Sequence, residues 1–278
     1  MGSTGSARSL PFRLPRALIA GGLLCLVSLV AARPVLAAEC GDRVRGSRVA
    51  CACGDVVVTD TTLRPGDPVV SGRCSLDGLI LRAAALSESL TLDMAGLAII
   101  GNGEGIGLRV DGGGNDGARI VSGVEARGEI VGFGTGVMSP SLAGLARIEN
   151  IAVKGSRRDG LRLRASGVLL IDVSTTDNGG DGIELSGQGG RLVDVDASGN
   201  RQVGMRVRTR GTVVGGRAVA NGKHGIISDG ARNDVSGAVA RDNGGVGVIV
   251  RGARQKTAGV VTEGNALGGL RATGSEIE

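Results

Sequence analysis

From residue 54 onward the chain alternates apolar and polar positions in short runs with a period of two. LRL at 161–163, IEL at 183–185, MRV at 205–207, IIS at 226–228 and VIV at 248–250 each follow a glycine. A period of two predicts β-strands, whereas a helix would space its apolar residues at 3.6. A second run shows the same alternation, LIDVS at 170–174 and LVDVD at 192–196. The glycines that open the first set are Gly136, Gly160, Gly182, Gly204, Gly225, Gly247 and Gly269, at intervals of 24, 22, 22, 21, 22 and 22 residues, with a less regular turn at Gly107. Four residues before the last five of these glycines stand Asn178, Asn200, Asn221, Asn243 and Asn265.

Self-similarity at this period is the mark of a solenoid. Leucine-rich repeats of similar length need a denser, fixed leucine pattern, which is missing. The pattern predicts an all-β chain: a single right-handed parallel β-helix with turns of about 22 residues and some nine or ten turns. Successive turns then climb one strand spacing, about 4.8 Å, and equivalent residues stack in columns. The five asparagines are expected to form such a ladder, with each amide bonded to the next. Asparagine also tolerates the left-handed backbone of a sharp bend, and the neighbouring glycines allow tight turning without a Cβ clash.

Composition agrees with a repetitive core. The 278 residues include 52 glycines, no Trp or Tyr, and only Phe12 and Phe133 as aromatics. Val, Ile, Leu and Ala must fill the interior. The N-terminus reads as an export signal over residues 1–38: Arg8, Arg13 and Arg16, an uncharged apolar stretch at 17–32, then RPVLAAEC, with cleavage after Ala37 or Ala38. An uncleaved anchor is disfavoured because sixteen residues are short for a membrane span. Removing residues 1–38 leaves 28 Lys+Arg against 27 Asp+Glu, so the basicity of the whole chain is largely that of the leader. Nucleic-acid binding then has no support in the charge. The mature chain is expected in the periplasm or outside the cell, without membrane attachment.

Export also sets the redox state of Cys40, Cys51, Cys53 and Cys74. An even count in an oxidising compartment predicts two disulfides. Cys51 and Cys53 lie too far apart on an extended chain to bridge each other, roughly 6–7 Å. Cys40 and Cys74 each pair with one of them, in either of two connectivities. A four-thiolate zinc site lacks the usual C-x2-C spacing. Residues 39–75 are thus expected as a disulfide-linked cap and 76–278 as the repeats.

CGDVVVTDTTL from Cys53, GLILRAAALSESLTLDMAGLAIIGNGEGIGL from Gly78, IVGFGTGVM from Ile130 and the Asn-x3-Gly turns resemble secreted bacterial right-handed β-helix repeat proteins. These are related in fold to pectate lyases and to periplasmic NosD-type β-helices. The resemblance spans nearly the whole mature chain. It implies the fold and leaves the activity open, because this fold carries lyases, hydrolases, epimerases, adhesins and chains without catalysis. Where such proteins often read LDLNGHTI, this chain has LDMAGLAI at 92–99: Asp93 and Gly96 remain, but Ala95 and Leu97 replace the Asn and His.

Candidate chemistry is sparse. Asp172 and Asp194 occupy equivalent positions and should stack, but Gly215 ends their column. His224, the one histidine, has no equivalent partner: its column reads Asp159, Asp181, Val203 and Val246. No Asp-Pro-His-Asp stretch of epimerase type occurs, and only Phe133 in the mature chain offers a ring for a sugar. No catalytic residue, metal or cofactor is therefore assigned. The outward column of the glycine-led strands reads Arg109, Met138, Arg162, Glu184, Arg206, Ile227, Ile249 and Arg271. The column two residues on reads Asp111, Pro140, Arg164, Ser186, Arg208, Asp229, Arg251 and Thr273. Arg162, Arg164, Arg206, Arg208 and Arg251, with Arg210 beside them, form a candidate basic stripe for an acidic polysaccharide or a surface protein. The competing expectation is exposed ion pairing of Glu184 between Arg162 and Arg206. A non-catalytic binding module is preferred, with a lyase or hydrolase for acidic polysaccharide as the alternative. The chain is expected to be mainly monomeric, with its C-terminal strand edge guarded by Glu276 and Glu278.

Overall fold

A computed structural model of the chain describes residues 37–83, 89–112, 117–123, 125–140 and 144–274. The expectations for the leader up to residue 36 and for Glu276 and Glu278 lie outside these residues. The rest is a parallel β-solenoid, and its one described helix is the single turn Pro68–Ser71.

Each full turn contributes strands to three parallel faces. The first face runs through Asp55–Val57, Leu79–Arg82, Ile106–Gly112, Thr135–Ser139, Leu161–Arg164, Ile183–Val193, Met205–Val214, Ile226–Asp229, Val248–Arg251 and Leu270–Thr273. Its register follows the glycine phase: Leu161, Ile183, Met205, Ile226, Val248 and Leu270 are successive partners. Residues of the second face include Leu90–Asp93, Ala118–Val121, Leu145–Glu149, Leu169–Ile171 and the latter halves of the two long strands. The third face contains Ala98–Gly101, Gly128–Val131, Ile151–Lys154 and Ser174–Thr176, followed by Arg217–Val219, Val239–Arg241 and Val261–Glu263. Asp196 bridges its two halves.

Inward positions of the faces meet in one long core. Leu79, Leu108, Val137, Leu161, Ile183, Met205, Ile226 and Val248 are fully buried, as alternation with period two requires. The inner column of the third face shrinks along the chain, from Ile99, Ile130 and Val153 to Thr175, Ala197, Ala218 and Ala240. The shrinkage coincides with a change at the neighbouring corner. There the carbonyls that accept the next turn's N–H belong in order to Phe133, Ser156, Asn178, Asn200, Asn221 and Asn243. A buried ring thus starts a column that continues as amides.

The asparagine ladder is continuous. Oδ1 of Asn200 accepts from Nδ2 and N of Asn178, at 2.9 and 3.1 Å, and the same double bond joins Asn200 to Asn221, Asn221 to Asn243 and Asn243 to Asn265. The second amide proton goes to a third-face carbonyl, as from Asn200 to Thr175 at 3.0 Å. The asparagines do not themselves take the left-handed conformation that the sequence suggested. Asp177, Gly199, Ala220, Asp242 and Gly264, one residue earlier, have φ of 57, 69, 55, 53 and 64°. The asparagine backbone stays free to align its N–H with the ladder.

The strand-opening glycines also have another cause than tight turning. A Cβ on Gly182, Gly204 or Gly247 would lie 2.7, 2.7 or 2.8 Å from the carbonyl oxygen of the next glycine in the column. The column reaches back beyond Gly107 to Gly78.

The N-terminal turns carry one antiparallel strand. Glu39 and Cys40 pair in parallel with Val56 and Val57, and Ser47–Val49 lies antiparallel on Glu39–Val44. Disulfides join Cys40 to Cys51 and Cys53 to Cys74, one of the two connectivities left open by the spacing. Nη2 of Arg48 reaches both oxygens of the buried Asp67 at 2.8 and 2.7 Å.

Candidate functional site

The most charged part of the first face surrounds a shallow depression of about 420 Å³, lined by Arg157, Arg158, Asp159, Arg162, Asp181, Glu184, Gln202, Arg206 and Arg208 together with Gly179 and Gly180. Its floor is built from the column that precedes the strand-opening glycines. Asp159 Oδ1 accepts from the N–H of Asp181 at 2.9 Å, and Asp181 Oδ1 accepts from the N–H of Val203 at 3.0 Å. Farther along, His224 Nδ1 accepts from the N–H of Val246 at 2.9 Å, so the histidine plays the part the aspartates play. That bond requires an unprotonated Nδ1. Burial holds His224 below its ordinary pKa, and the cations of Arg206, Arg251 and Arg271 act in the same direction. Burial also pushes the carboxyl of Asp159 up, helped by the charges of Asp181 and Glu184 and opposed by the Asp181 N–H and by Arg162.

Cations and acids interlock across turns. Arg206 Nε meets Asp181 Oδ2 at 2.7 Å, Arg208 Nη1 meets Glu184 Oε1 at 2.7 Å, and Arg162 Nε lies 3.3 Å from Glu184 Oε2. Glu184 stands between Arg162 and Arg206 by register, yet its carboxylate bridges Arg162 and Arg208. Arg206 turns away to Asp181, which corrects the pairing expected from the sequence. Arg251 lies 3.6 Å from Asp229. Arg164 is exposed and makes no ion pair among the described residues. The stripe is interrupted on its C-terminal side, where Ile227 and Ile249 pack with Val203 and Val246 in a buried apolar cluster.

Two other expectations change. Phe133 is 0% exposed and cannot stack on a sugar. Asp172 and Asp194 have φ of 49 and 51°, in a corner column that runs from Asn150 (54°) to Gly215 (66°), Gly237 (60°) and Gly259 (60°). These residue types share tolerance of the left-handed region, which explains why glycine succeeds aspartate there. Asp172 also pairs with Arg127. No group of three or more His, Cys, Asp or Glu side chains among the described residues can hold a metal. By sequence, Asp159 and Asp181 stand out only as members of the histidine's column. Their shared phase directly before the glycine was the signal, but burial under arginines is a tertiary property.

Residues 137–277 match the family described as right handed beta helix region. A search of curated proteins returned no match. Among solved structures, the chain is similar to the A-module of the mannuronan C-5 epimerase AlgE4 from Azotobacter vinelandii, with 16% identity over 77% of this chain and 70% of that one and a TM-score of 0.41. The A-module of the AlgE6 epimerase from the same organism gives 18% identity over 80% and 70%, again with a TM-score of 0.41. The family match covers half of the chain, and the chain belongs to that family.

Proposed function

We propose, taking membership of the right-handed β-helix family as the premise, that this chain is an exported, non-catalytic module whose first face binds an acidic polysaccharide. The observation that carries the reading is the charge of the depression on that face. Five guanidinium groups, of Arg157, Arg158, Arg162, Arg206 and Arg208, surround three carboxylates, of Asp159, Asp181 and Glu184, and Arg157 also pairs with Glu104, which leaves an excess of one positive charge for an anionic chain. Arg164 extends the surface, and Arg164 and Arg208 stand two turns apart, roughly 9.6 Å at the usual strand spacing. The acids are occupied as acceptors for backbone N–H groups and arginines, which supports binding over catalysis. The two disulfides suit an oxidising compartment.

One observation favours the alternative of a lyase or hydrolase. A carboxyl pushed upward by burial, beside arginines in a depression, is a group that acid chemistry can use. A single assay separates the two. The purified chain is titrated with polyuronates and with a neutral glucan while ultraviolet absorbance and reducing ends are followed. The proposed function predicts polyuronate binding that weakens with salt, no product, and a loss of up to about fivefold per arginine in Arg164→Ala or Arg208→Ala. Product that disappears in Asp159→Asn would establish the alternative. No binding and no product would overturn both.

A further inference from the structure

We propose, on the footing of the binding function above, that the polysaccharide lies along the strand Met205–Val214, across the solenoid axis, and occupies a second depression toward the second face. The charges set this direction. Along the axis, register brings Met138, Arg162, Glu184, Arg206, Ile227 and Ile249 into one outward column. An acid separates its two arginines, and apolar side chains bound them on both sides. In the next column Asp229 follows Arg208. A polyanion laid lengthwise would meet unlike charges in turn and then the buried Ile227 and Ile249.

Along the strand the sign is uniform. Alternation from the buried Met205 and Val207 puts Arg206, Arg208 and Arg210 all on the outward side. Arg206 lines the first depression, Arg210 lines a second, and Arg208 lines both. The second depression, of about 500 Å³, also takes in Gln188 and Asp229. Gln188 and Arg210 are register partners on neighbouring turns. Gly187 and Gly230, with φ of 139 and 145°, belong to its wall. Glycine favours that backbone, so no long side chain fills the depression from those two positions. The arginines suit the acidic groups of the polysaccharide, while Gln188 and Asp229 offer hydrogen bonds to its hydroxyls. Arg206 and Arg210 lie roughly 13 Å apart at the usual strand rise, too far for one sugar ring to touch both.

Titration of the full chain with size-graded polyuronate oligomers tests the proposal, with thermal unfolding as a check that each variant folds. Oligomers long enough to reach from Arg206 to Arg210 should bind about fivefold or more tighter than shorter ones, and Arg210→Glu should abolish that gain. Arg109 and Arg271 stand in the first outward column beyond Met138 and Ile249, where a lengthwise ligand would reach them. Arg109→Ala and Arg271→Ala should change affinity by less than about twofold, because distant surface charges are screened. Binding of long oligomers that Arg210→Glu leaves intact would overturn the crossing path while the binding function stands. So would a loss in Arg109→Ala or Arg271→Ala as large as that in Arg210→Glu. No binding by any oligomer would overturn both.

Discussion

At the scale of the residue, neighbouring positions divide the work of one corner. The residue before each ladder asparagine adopts the left-handed conformation, and the asparagine supplies the amide. This explains why the earlier position varies among Asp, Gly and Ala while the asparagine repeats unchanged over five turns. The ladder also predicts an order of stabilities. Asn200→Ala removes a side chain that accepts from Asn178 and donates to Asn221 and Thr175, and it leaves the two buried N–H donors of Asn178 without their ladder acceptor. Asn265 is only half-buried; it accepts from Asn243 and donates to Ala240. Asn200→Ala is expected to cost about 1–3 kcal/mol and Asn265→Ala less. Urea denaturation of the two variants checks this, and equal midpoints would count against a cooperative ladder. The phase of the ladder was legible in the sequence. The division of labour was not, because asparagine suits either the amide or the left-handed role.

At the scale of the element, each glycine-led strand begins where its backbone passes under the carbonyl of the next turn. The requirement is steric. A Cβ on Gly204 would lie 2.7 Å from the Gly225 oxygen, 2.7 Å from Asn221 Nδ2 and 2.8 Å from the Ala197 oxygen. Gly204→Ala must therefore push a strand start and the ladder apart, at a cost of about 1–3 kcal/mol. Gly66, in the loop before Pro68–Ser71, has nothing within 4 Å of the same position, and Gly66→Ala should change stability by less than about 0.5 kcal/mol. Thermal midpoints measured side by side distinguish crowding in the column from a general penalty for adding a methyl group. The strand pattern could be read residue by residue. The close approach could not, since it depends on a residue about 22 positions away.

At the scale of the whole molecule, the N-terminal turns are tied by two disulfides, Cys40–Cys51 and Cys53–Cys74. Cys40, Cys51 and Cys74 are fully buried, while Cys53 is exposed. Thiol attack depends on access, so a mild reductant should open Cys53–Cys74 before Cys40–Cys51. Alkylation and peptide mapping along a reductant series would show the order, and simultaneous opening would contradict it. Loss of a native disulfide typically costs about 2–5 kcal/mol. In a solenoid that loss falls on the adjacent turns first, because each turn contacts only its neighbours.

The sequence by itself determined the period, the strand phase, the columns and the class of fold, because a solenoid repeats one local rule and stacking turns that rule into architecture. It limited the cysteines to two connectivities, and the fold of the N-terminal turns selected one. Only the tertiary structure decided which charges meet. Register placed Glu184 between Arg162 and Arg206, but side-chain length and direction gave it Arg162 and Arg208 and sent Arg206 to Asp181. The same holds for Phe133, whose place in the chain says nothing of exposure, and for Asp159, whose raised carboxyl arises from burial among groups on other turns. Backbone order follows from short-range periodicity, whereas the chemistry of the surface depends on side chains that reach across turns.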